Sequence, residues 1–260
     1  MQLLVEPEPS GPAEKIAHDL RHGLPVDDET FDTLLISDTS KVRSRSFWTP
    51  VAAAQKASAL FKEAGSQRIL DVGSGSGKFC SIASLTLDHR VWGLERRGKL
   101  VLEARTLAQS LGAEVVIIEG TLETIDPRRF DGFYFFNPFG EYVADDDDRY
   151  DQDFPRSFKA YVRDARRIEK WMRAAPVGTA MITHHGLGGR IPASFAVRAT
   201  ERFGKGIMRL WVKERADDGG QAFFEIEDEL VSAEELTALA NSPEAEPLVA
   251  ALSRPDDPEP

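Results

Sequence analysis

The chain has 260 residues, of which 42% are hydrophobic and 29% are charged, which suits a single globular domain with extensions. Its net charge of −11 comes mainly from the ends, because residues 1–30 carry seven acids and two bases while residues 241–260 carry five acids and one base. The remaining residues 31–240 therefore offer no broad basic face to neutralise phosphates, which argues against a nonspecific nucleic-acid-binding protein.

The single cysteine, Cys80, excludes an intramolecular disulfide and a cysteine-based metal site. The first residues lack the basic region and the long apolar run of a signal peptide, and no apolar run reaches the length of a membrane span. We therefore expect a cytoplasmic protein without a membrane-spanning helix. His18 and His22 have the spacing of a zinc-binding helix, but Gly23 and Pro25 end that helix at once, so we predict a surface pair and no metal site.

Three regions are expected along the chain. Residues 1–40 are acidic and proline-containing, which predicts a partly disordered N-terminal extension. Residues 41–230 form the predicted domain. Residues 231–260 are predicted to begin with a short helix, opened by a capping box at Ser232, and to continue as an acidic disordered tail.

Strands and helices alternate through the predicted domain. Thr49 can cap a first helix and Gly65 can end it. Five buried-type strands follow, separated mostly by helices, in residues 67–73, 90–95, 113–120, 130–138 and 178–185. Residues 194–203 and 206–215 are predicted to form a hairpin, and residues 221–230 a further strand. This alternation predicts an α/β fold with right-handed crossovers and a mostly parallel sheet covered on both faces.

The strongest chemical signal is the sequence ILDVGSGSGKF, where Asp71 ends the first predicted strand. Three alternate glycines follow: Gly73, Gly75 and Gly77. Glycine lets a loop turn sharply and lets a ligand approach the backbone, because no Cβ stands in the way. A dinucleotide loop requires G-x-G-x-x-G, and its third glycine would fall at Lys78 or, in the other frame, at Cys80. Neither frame fits, and the pattern is G-x-G-x-G instead.

This acid and glycine pattern resembles the first motif of class I S-adenosylmethionine (SAM)-dependent methyltransferases. The resemblance extends over residues 45–215 and implies a three-layer sandwich with a seven-strand sheet, in which the strand near the C-terminus is antiparallel. It also implies SAM as the cofactor. Its methionine and ribose portion would lie against Asp71, Gly73, Ser74, Gly75 and Gly77.

Glu95 ends the second predicted strand. A carboxylate at this place can accept two hydrogen bonds from a ribose diol, which suits SAM and NAD alike. Trp48 and Thr49 precede the first strand, and in many methyltransferases of this class a preceding helix and its loop cover the cofactor. The alternative for these two residues is an aromatic staple and a simple helix cap.

The third predicted strand ends in Gly120, Thr121 and Leu122, where these methyltransferases often carry Gly-Asp-Ala. The resemblance implies that this segment contacts adenine, but the usual acid near the adenine amino group is absent. Thr121 can still accept a hydrogen bond, and Glu119 or Glu123 can substitute for the missing acid.

The fourth predicted strand ends in Asn137, Pro138 and Phe139, one proline short of the Asn-Pro-Pro-aromatic tetrapeptide of amino-methylating members. In those members the asparagine side chain and the next backbone carbonyl accept hydrogen bonds from the target nitrogen, and an aromatic residue stacks over the target. The resemblance implies a catalytic role for all three residues, although Phe139 stands one position early and Tyr142 is the next aromatic. The alternative is a simple Asn-Pro turn.

Three further residues are candidates for substrate binding, or for a base if one is needed: Glu141, Tyr142 and His184. His184 and His185 would face opposite sides of the sheet if the fifth strand continued through both. A packed or surface histidine is the alternative interpretation of each.

Residues 141–153 hold seven acids and one arginine, and the helix predicted to follow holds seven bases and two acids. The helix dipole and charge pairing along the helix account for this pattern. A sharper hypothesis is that the acids attract a cationic substrate, such as an amine or the side chain of a lysine or arginine.

These patterns together predict a SAM-dependent methyltransferase that moves the sulfonium methyl to a nucleophile, with nitrogen favoured, on a small-molecule or protein substrate and not on nucleic acid. Three alternatives stay open: an NAD(P)-dependent oxidoreductase, a non-catalytic SAM-binding interaction module, and a methyltransferase acting on nucleic acid, which would need a basic face that the sequence does not show.

Overall fold

The computed structural model describes residues 9–142, 144, 149–151, 153–154, 156–203, 206–220, 222–226 and 229–231. The chain divides into two compact units. The first unit comprises residues 1–63 and 68–121, and the second comprises residues 64–67 and 122–260. The predicted boundaries at residues 40 and 230 follow a different criterion, sequence composition, and stay a prediction.

The first unit contains a parallel sheet and helices. The strands are hydrogen-bonded in the order β3-β2-β1, and their bounds are β1 (Ile69–Val72), β2 (Val91–Glu95) and β3 (Val115–Glu119). The helices are α1 (Pro12–Arg21), α2 (Asp28–Asp32), α3 (Asp38–Phe47), α4 (Val51–Glu63), α5 (Lys78–Leu87) and α6 (Gly98–Leu111). All four residues of β1 are buried, in agreement with the apolar run that predicted a buried strand.

Helices α1 to α3 occupy a part of the chain that the sequence analysis mostly assigned to a partly disordered extension. In α1, Pro12 occupies the first turn, and the buried side chains Ile16, Ala17 and Leu20 form an apolar face. This helix packs against α5 and α6. The helical spacing of these apolar residues is the sequence signal for this helix.

The second unit contains two sheets and one long helix. Its elements are β4 (Gly132–Phe136), α7 (Phe158–Ala174), β5 (Ala180–His184), β6 (Gly189–Pro192), β7 (Phe195–Phe203), β8 (Gly206–Lys213), β9 (Ala222–Ile226) and β10 (Glu229–Val231), with short 3-10 turns at Leu122–Thr124, Pro127–Arg129 and Gly140–Tyr142. Strand β4 is parallel to β5, and β8 is antiparallel to both β5 and β7. Strands β6, β9 and β10 form a small antiparallel sheet that was not predicted.

The larger sheet has seven strands in the order β3-β2-β1-β4-β5-β8-β7. This confirms the predicted α/β fold class, with a mostly parallel seven-strand sheet and an antiparallel strand, β8, near the C-terminus. None of the helices in the described ranges is long and apolar enough to cross a membrane. The short helix predicted to open at Ser232 lies outside the described residues.

A buried ion pair joins the two sheets of the second unit. Glu225 of β9 is 0% exposed and accepts hydrogen bonds from Arg209 Nη1 at 2.8 Å, Thr183 Oγ1 at 2.9 Å and the Leu187 amide at 3.0 Å. Trp211 Nε1 donates to the same Thr183 hydroxyl at 3.1 Å. Burial raises the pKa of Glu225, and its three donors oppose that rise. The small sheet is thus held to β5 and β8 by a buried carboxylate that accepts three hydrogen bonds.

Candidate functional site

The loop between β1 and α5 is built from glycines in the left-handed backbone region. Gly73, Gly75 and Gly77 have φ angles of 81°, 55° and 75°, which cost any other L-residue about 1–2 kcal/mol. A Cβ at Gly77 would lie 2.7 Å from Ala104 Cβ on α6, so this glycine allows α5 and α6 to pack closely. The three glycines therefore shape a tight loop, in which Gly73 is exposed while Gly75 and Gly77 are buried.

Trp48 packs against this loop. The Trp48 side chain is buried, and a Cβ on Gly75 would lie 2.8 Å from the indole Cδ1 and closer still to Nε1. Thr49, the next residue, is also buried. The amide of Val51, which opens α4, donates to Asp28 Oδ1 at 2.9 Å. Trp48 is thus located at the glycine loop, while its contact with a cofactor stays a prediction.

Glu95 at the end of β2 is hydrogen-bonded to the same loop. Its Oε2 accepts from the Gly75 amide at 3.0 Å, and its Oε1 accepts from the Arg97 amide at 2.8 Å. The carboxylate is buried, and this burial raises its pKa against the lowering effect of the two amides and of Arg97. Glu95 therefore connects the loop to the second strand, a contact that the sequence pattern did not reveal.

Two buried serine hydroxyls of the loop, Ser74 Oγ and Ser76 Oγ, have no hydrogen-bond partner among the described residues. Ser74 lies against Gly93 of β2, where a Cβ would approach its Oγ to 2.6 Å. A buried hydroxyl without a partner costs about 1–3 kcal/mol, and a bound polar ligand or water can offset that cost. Ser76 was not among the predicted site residues, although its position between Gly75 and Gly77 was the available signal.

Asp71 and Cys80 form a buried pair behind the loop. Cys80 Sγ donates to Asp71 Oδ2 at 3.4 Å, and both side chains are buried. Burial raises the pKa of Asp71 to about 7, and burial together with the neighbouring carboxyl raises the pKa of the Cys80 thiol well above its ordinary range. Asp71 therefore titrates near neutrality while the thiol stays protonated.

Replacing Asp71 by asparagine is expected to flatten the pH dependence of stability between about pH 4 and pH 7. The Asp71 pKa is about 7 in the folded protein and near 3.8 when the chain is unfolded. Unfolding therefore releases a proton in this window, and the wild-type protein loses stability as the pH rises. In urea unfolding across this range, the free energy of unfolding of Asp71→Asn relative to the wild type should increase as the pH rises. Above this range the difference should stay constant. A difference that is independent of pH would contradict the prediction.

The end of β3 holds the segment predicted to meet adenine. The Gly120 amide donates to the Glu95 carbonyl at 2.9 Å, which places it beside the end of β2. Thr121 and Glu119 are exposed. Leu122 is buried and belongs to the second unit, so its side chain serves as a core residue there. Contact of this segment with adenine stays a prediction.

The end of β4 turns sharply at Asn137. This residue has a φ of 38°, a left-handed value that asparagine tolerates better than most residues. Its amide donates to the His184 carbonyl at 3.0 Å, and its carbonyl accepts from the Gly140 amide at 3.2 Å. The Asn137 side chain is exposed, and a Cβ on Gly140 would lie 2.5 Å from its Nδ2. The segment is thus a turn, as one interpretation expected, and it presents an exposed amide.

The aromatic residues after this turn pack onto α7. Phe139 is buried, and its ring meets Tyr161 edge to face with centroids 5.8 Å apart. Tyr161 donates its hydroxyl to the Gly188 carbonyl at 2.7 Å, and Tyr142 donates its hydroxyl to Asp164 Oδ2 at 2.7 Å. Phe139 therefore fixes the turn to the helix, and this packing leaves little of its face for a substrate to stack on.

His184, the last residue of β5, and His185, the residue after it, are stacked on each other, with ring centroids 4.6 Å apart. The expectation of opposite faces required a continuous strand, but β5 ends at His184 and His185 has a φ of 59°. His184 is 0% exposed, and neither of its ring nitrogens has a hydrogen-bond partner among the described residues. Desolvation lowers its pKa to about 3, so His184 is neutral at physiological pH and a weak base.

Glu141, the remaining candidate for substrate binding, accepts a hydrogen bond from the Tyr150 amide at 3.0 Å through its Oε1. The four consecutive acids at positions 145–148 lie outside the described residues, so the hypothesis of a cationic substrate stays a prediction. Over the part of the chain that the structure describes, no group of three or more histidine, cysteine, aspartate or glutamate residues could hold a metal ion.

Comparisons with known proteins bear on the fold. No protein-family model matches the chain, and no curated protein matches it significantly. A candidate O-methyltransferase from Klebsiella pneumoniae is 16% identical, with 77% of this chain and 97% of that chain covered, at a TM-score of 0.50. An RNA methyltransferase from Salinibacter ruber, in complex with S-adenosyl-L-homocysteine, is 17% identical, with 65% and 94% covered, at 0.46.

A candidate caffeoyl-CoA O-methyltransferase from Staphylococcus aureus is 14% identical, with 76% of this chain and 98% of that chain covered, at a TM-score of 0.49. At such low sequence identities the likeness concerns the fold alone, and the inference about the fold rests on the Klebsiella pneumoniae structure. This likeness and the observed strand order show that the chain has the fold of the class I SAM-dependent methyltransferases.

Proposed function

We propose that this chain is a SAM-dependent methyltransferase that binds SAM at the glycine loop of the first unit and transfers its methyl group to a nitrogen of a small-molecule or protein substrate. The observation that carries the proposal is the loop itself. Its three glycines have left-handed backbone conformations, two buried serine hydroxyls lack partners among the described residues, and a buried carboxylate is hydrogen-bonded to its second glycine.

The residues of the loop suit the methionine and ribose portion of SAM. A carboxylate has about four acceptor positions, and Glu95 uses two of them for the amides of Gly75 and Arg97. The remaining positions are available to accept hydrogen bonds from a ribose diol. The hydroxyls of Ser74 and Ser76 would gain partners from a polar ligand in the loop. The absence of phosphate-binding spacing favours SAM over a dinucleotide.

SAM, when bound, supplies a methyl group already activated on a sulfonium. The chain's own residues therefore have to bind and orient the substrate and to exclude water. We propose that the substrate binds at the exposed turn formed by Asn137 and Pro138. The Asn137 side-chain oxygen can accept a hydrogen bond from a target nitrogen, which orients the nitrogen lone pair. Two aromatic residues anchor this turn to α7. Phe139 packs against Tyr161, and Tyr142 donates a hydrogen bond to Asp164.

Removing the Asn137 amide is expected to slow methyl transfer by about tenfold or more, because one orienting hydrogen bond is worth about 1.5 kcal/mol. Asn137→Gly is the suitable variant, since glycine tolerates the φ of 38° and leaves the backbone unstrained. Asn137→Asp keeps an acceptor oxygen and should retain more activity. Binding of S-adenosylhomocysteine (SAH) should be unchanged in both variants. A fully active glycine variant would remove Asn137 from the proposed mechanism.

Calorimetric titration with SAM, SAH and NAD tests the cofactor directly. Binding of NAD without binding of SAM or SAH would favour the oxidoreductase alternative. A screen for transfer of a tritiated methyl group to protein, RNA and small-molecule fractions of a lysate then tests the reaction. Labelling of the RNA fraction would overturn the prediction against nucleic acid. SAH binding with no labelled fraction would favour the non-catalytic module.

A further inference from the structure

Lys78 is the first residue of α5 and follows directly after the glycine loop. Although charged, its side chain is only 2% exposed. Its Nζ lies 2.6 Å from Asp28 Oδ1, 2.7 Å from Asp32 Oδ1 and 3.2 Å from Ser44 Oγ. A lysine ammonium has three donors, and these three oxygens account for all of them. A buried charge with a complete set of acceptors is a built arrangement and not a surface contact.

Lys78 is linked to residues on both sides of Trp48, to Ser44 directly and to Val51 through Asp28. Ser44 is one turn before Trp48, and the Trp48 amide donates to the Ser44 carbonyl at 3.1 Å. On the other side, the amide of Val51 donates to Asp28 Oδ1, the same oxygen that Lys78 binds. The segment from Ser44 to Val51 is therefore bound to the Lys78 ammonium directly at its first residue and, through the Asp28 carboxylate, at its last. Trp48, in its middle, is held against Gly75.

We propose that Lys78 is a positioning residue for the cofactor site, which acts through Asp28, Asp32 and Ser44 to hold Trp48 against the glycine loop. The inference rests on the proposed function, because the site that Trp48 covers is the proposed SAM site. It goes beyond that function in assigning a role to the N-terminal helices α2 and α3. Lys78 itself is saturated with protein acceptors and is not a ligand of the cofactor.

A double-mutant cycle between Lys78→Met and Trp48→Leu tests the proposal, with calorimetric SAH affinity as the readout. Each single variant is expected to weaken SAH binding by about tenfold, because Lys78→Met displaces the indole that covers the glycine loop and Trp48→Leu removes it. The double variant should be no weaker than the worse single variant, because Lys78 acts through Trp48. Losses that multiply to about a hundredfold would overturn the proposal.

Lys213→Met is the matched control. Lys213 is also a buried lysine, 2% exposed, but its Nζ donates to the carbonyls of Met172 at 2.9 Å and Arg173 at 2.6 Å in the second unit. This variant is expected to lower the melting temperature and to leave SAH affinity unchanged. If Lys213→Met and Lys78→Met weaken SAH binding in the same proportion to their loss of stability, then Lys78 is merely structural and the proposal fails.

Hydrogen exchange without ligand separates this inference from the proposed function. Lys78→Met should accelerate exchange of the amides in residues 44–51, and Lys213→Met should not. Unchanged exchange in Lys78→Met would overturn the positioning role whatever the cofactor is. If wild-type protein binds neither SAM nor SAH, the proposed function fails, while accelerated exchange would still support the hold of Lys78 on Trp48.

Discussion

Gly75→Ala is expected to weaken SAH binding by about a hundredfold, equivalent to about 2.8 kcal/mol, because it displaces groups that form the proposed site. Two effects combine at this position. The φ of 55° is unfavourable for alanine by about 1–2 kcal/mol. The new Cβ would also lie 2.8 Å from Trp48 Cδ1, so either the indole or the loop has to move. Because the Gly75 amide donates to Glu95, movement of the loop would disturb the proposed ribose contact as well.

Gly112→Ala separates these two effects. Gly112 lies in the same unit at the C-terminal end of α6 and has a φ of 59°, so alanine there bears a similar backbone strain. Its Cβ would meet only Arg21 Nη2 at 3.6 Å, an ordinary distance. We expect backbone strain to lower the free energy of unfolding of Gly112→Ala by about as much as that of Gly75→Ala. The SAH affinity of Gly112→Ala should not change. Equal SAH affinities of the two variants would show that the Trp48 contact is unimportant for binding.

Arg209→Met is expected to lower the free energy of unfolding by about 3–5 kcal/mol, because it leaves the Glu225 carboxylate buried without its cation. The two remaining donors, Thr183 Oγ1 and the Leu187 amide, are neutral and compensate only part of the charge. Urea unfolding measures the loss. The loss should shrink as the pH falls, because burial already raises the pKa of Glu225 and removal of Arg209 raises it further.

Two controls frame this result. Adding Glu225→Gln to Arg209→Met removes the buried charge, and the glutamine can accept from the Leu187 amide through its oxygen and donate to the Thr183 hydroxyl through its NH2 group, so the double variant should recover part of the lost stability. Arg90→Met breaks an exposed pair, in which Arg90 Nη2 lies 3.6 Å from Glu114 Oε2 and the side chains are 57% and 70% exposed. That pair should contribute at most about 1 kcal/mol. A similar loss in Arg90→Met and Arg209→Met would contradict the assignment of Glu225 as a buried structural charge.

The sheet was predictable because its signals are local. Short apolar runs identified β1, β2, β3, β4 and β5. The glycines of the loop were predicted as a tight turn, and all three have positive φ angles. Their contact with a cofactor stays a prediction, as do the roles of Asn137, Pro138 and Phe139.

The remaining features depend on residues that are far apart in sequence. Sequence spacing identifies Lys78 only as the residue that breaks a dinucleotide pattern, because its partners Asp28 and Asp32 lie 50 and 46 positions away. The bonds of Glu225 to Thr183 and Arg209 similarly span 42 and 16 positions. A single sequence contains no periodic pattern that reports such pairs, so burial and charge compensation become visible only in three dimensions.

The buried thiol behind the glycine loop has a practical consequence. Cys80 is the only cysteine of the chain, it is inaccessible, and its raised pKa keeps it in the unreactive protonated form. A second cysteine introduced on the surface should therefore react alone with a maleimide dye or spin label. Val42 on α3 is 76% exposed and offers such a position, so the N-terminal helices can be labelled without removing the native thiol.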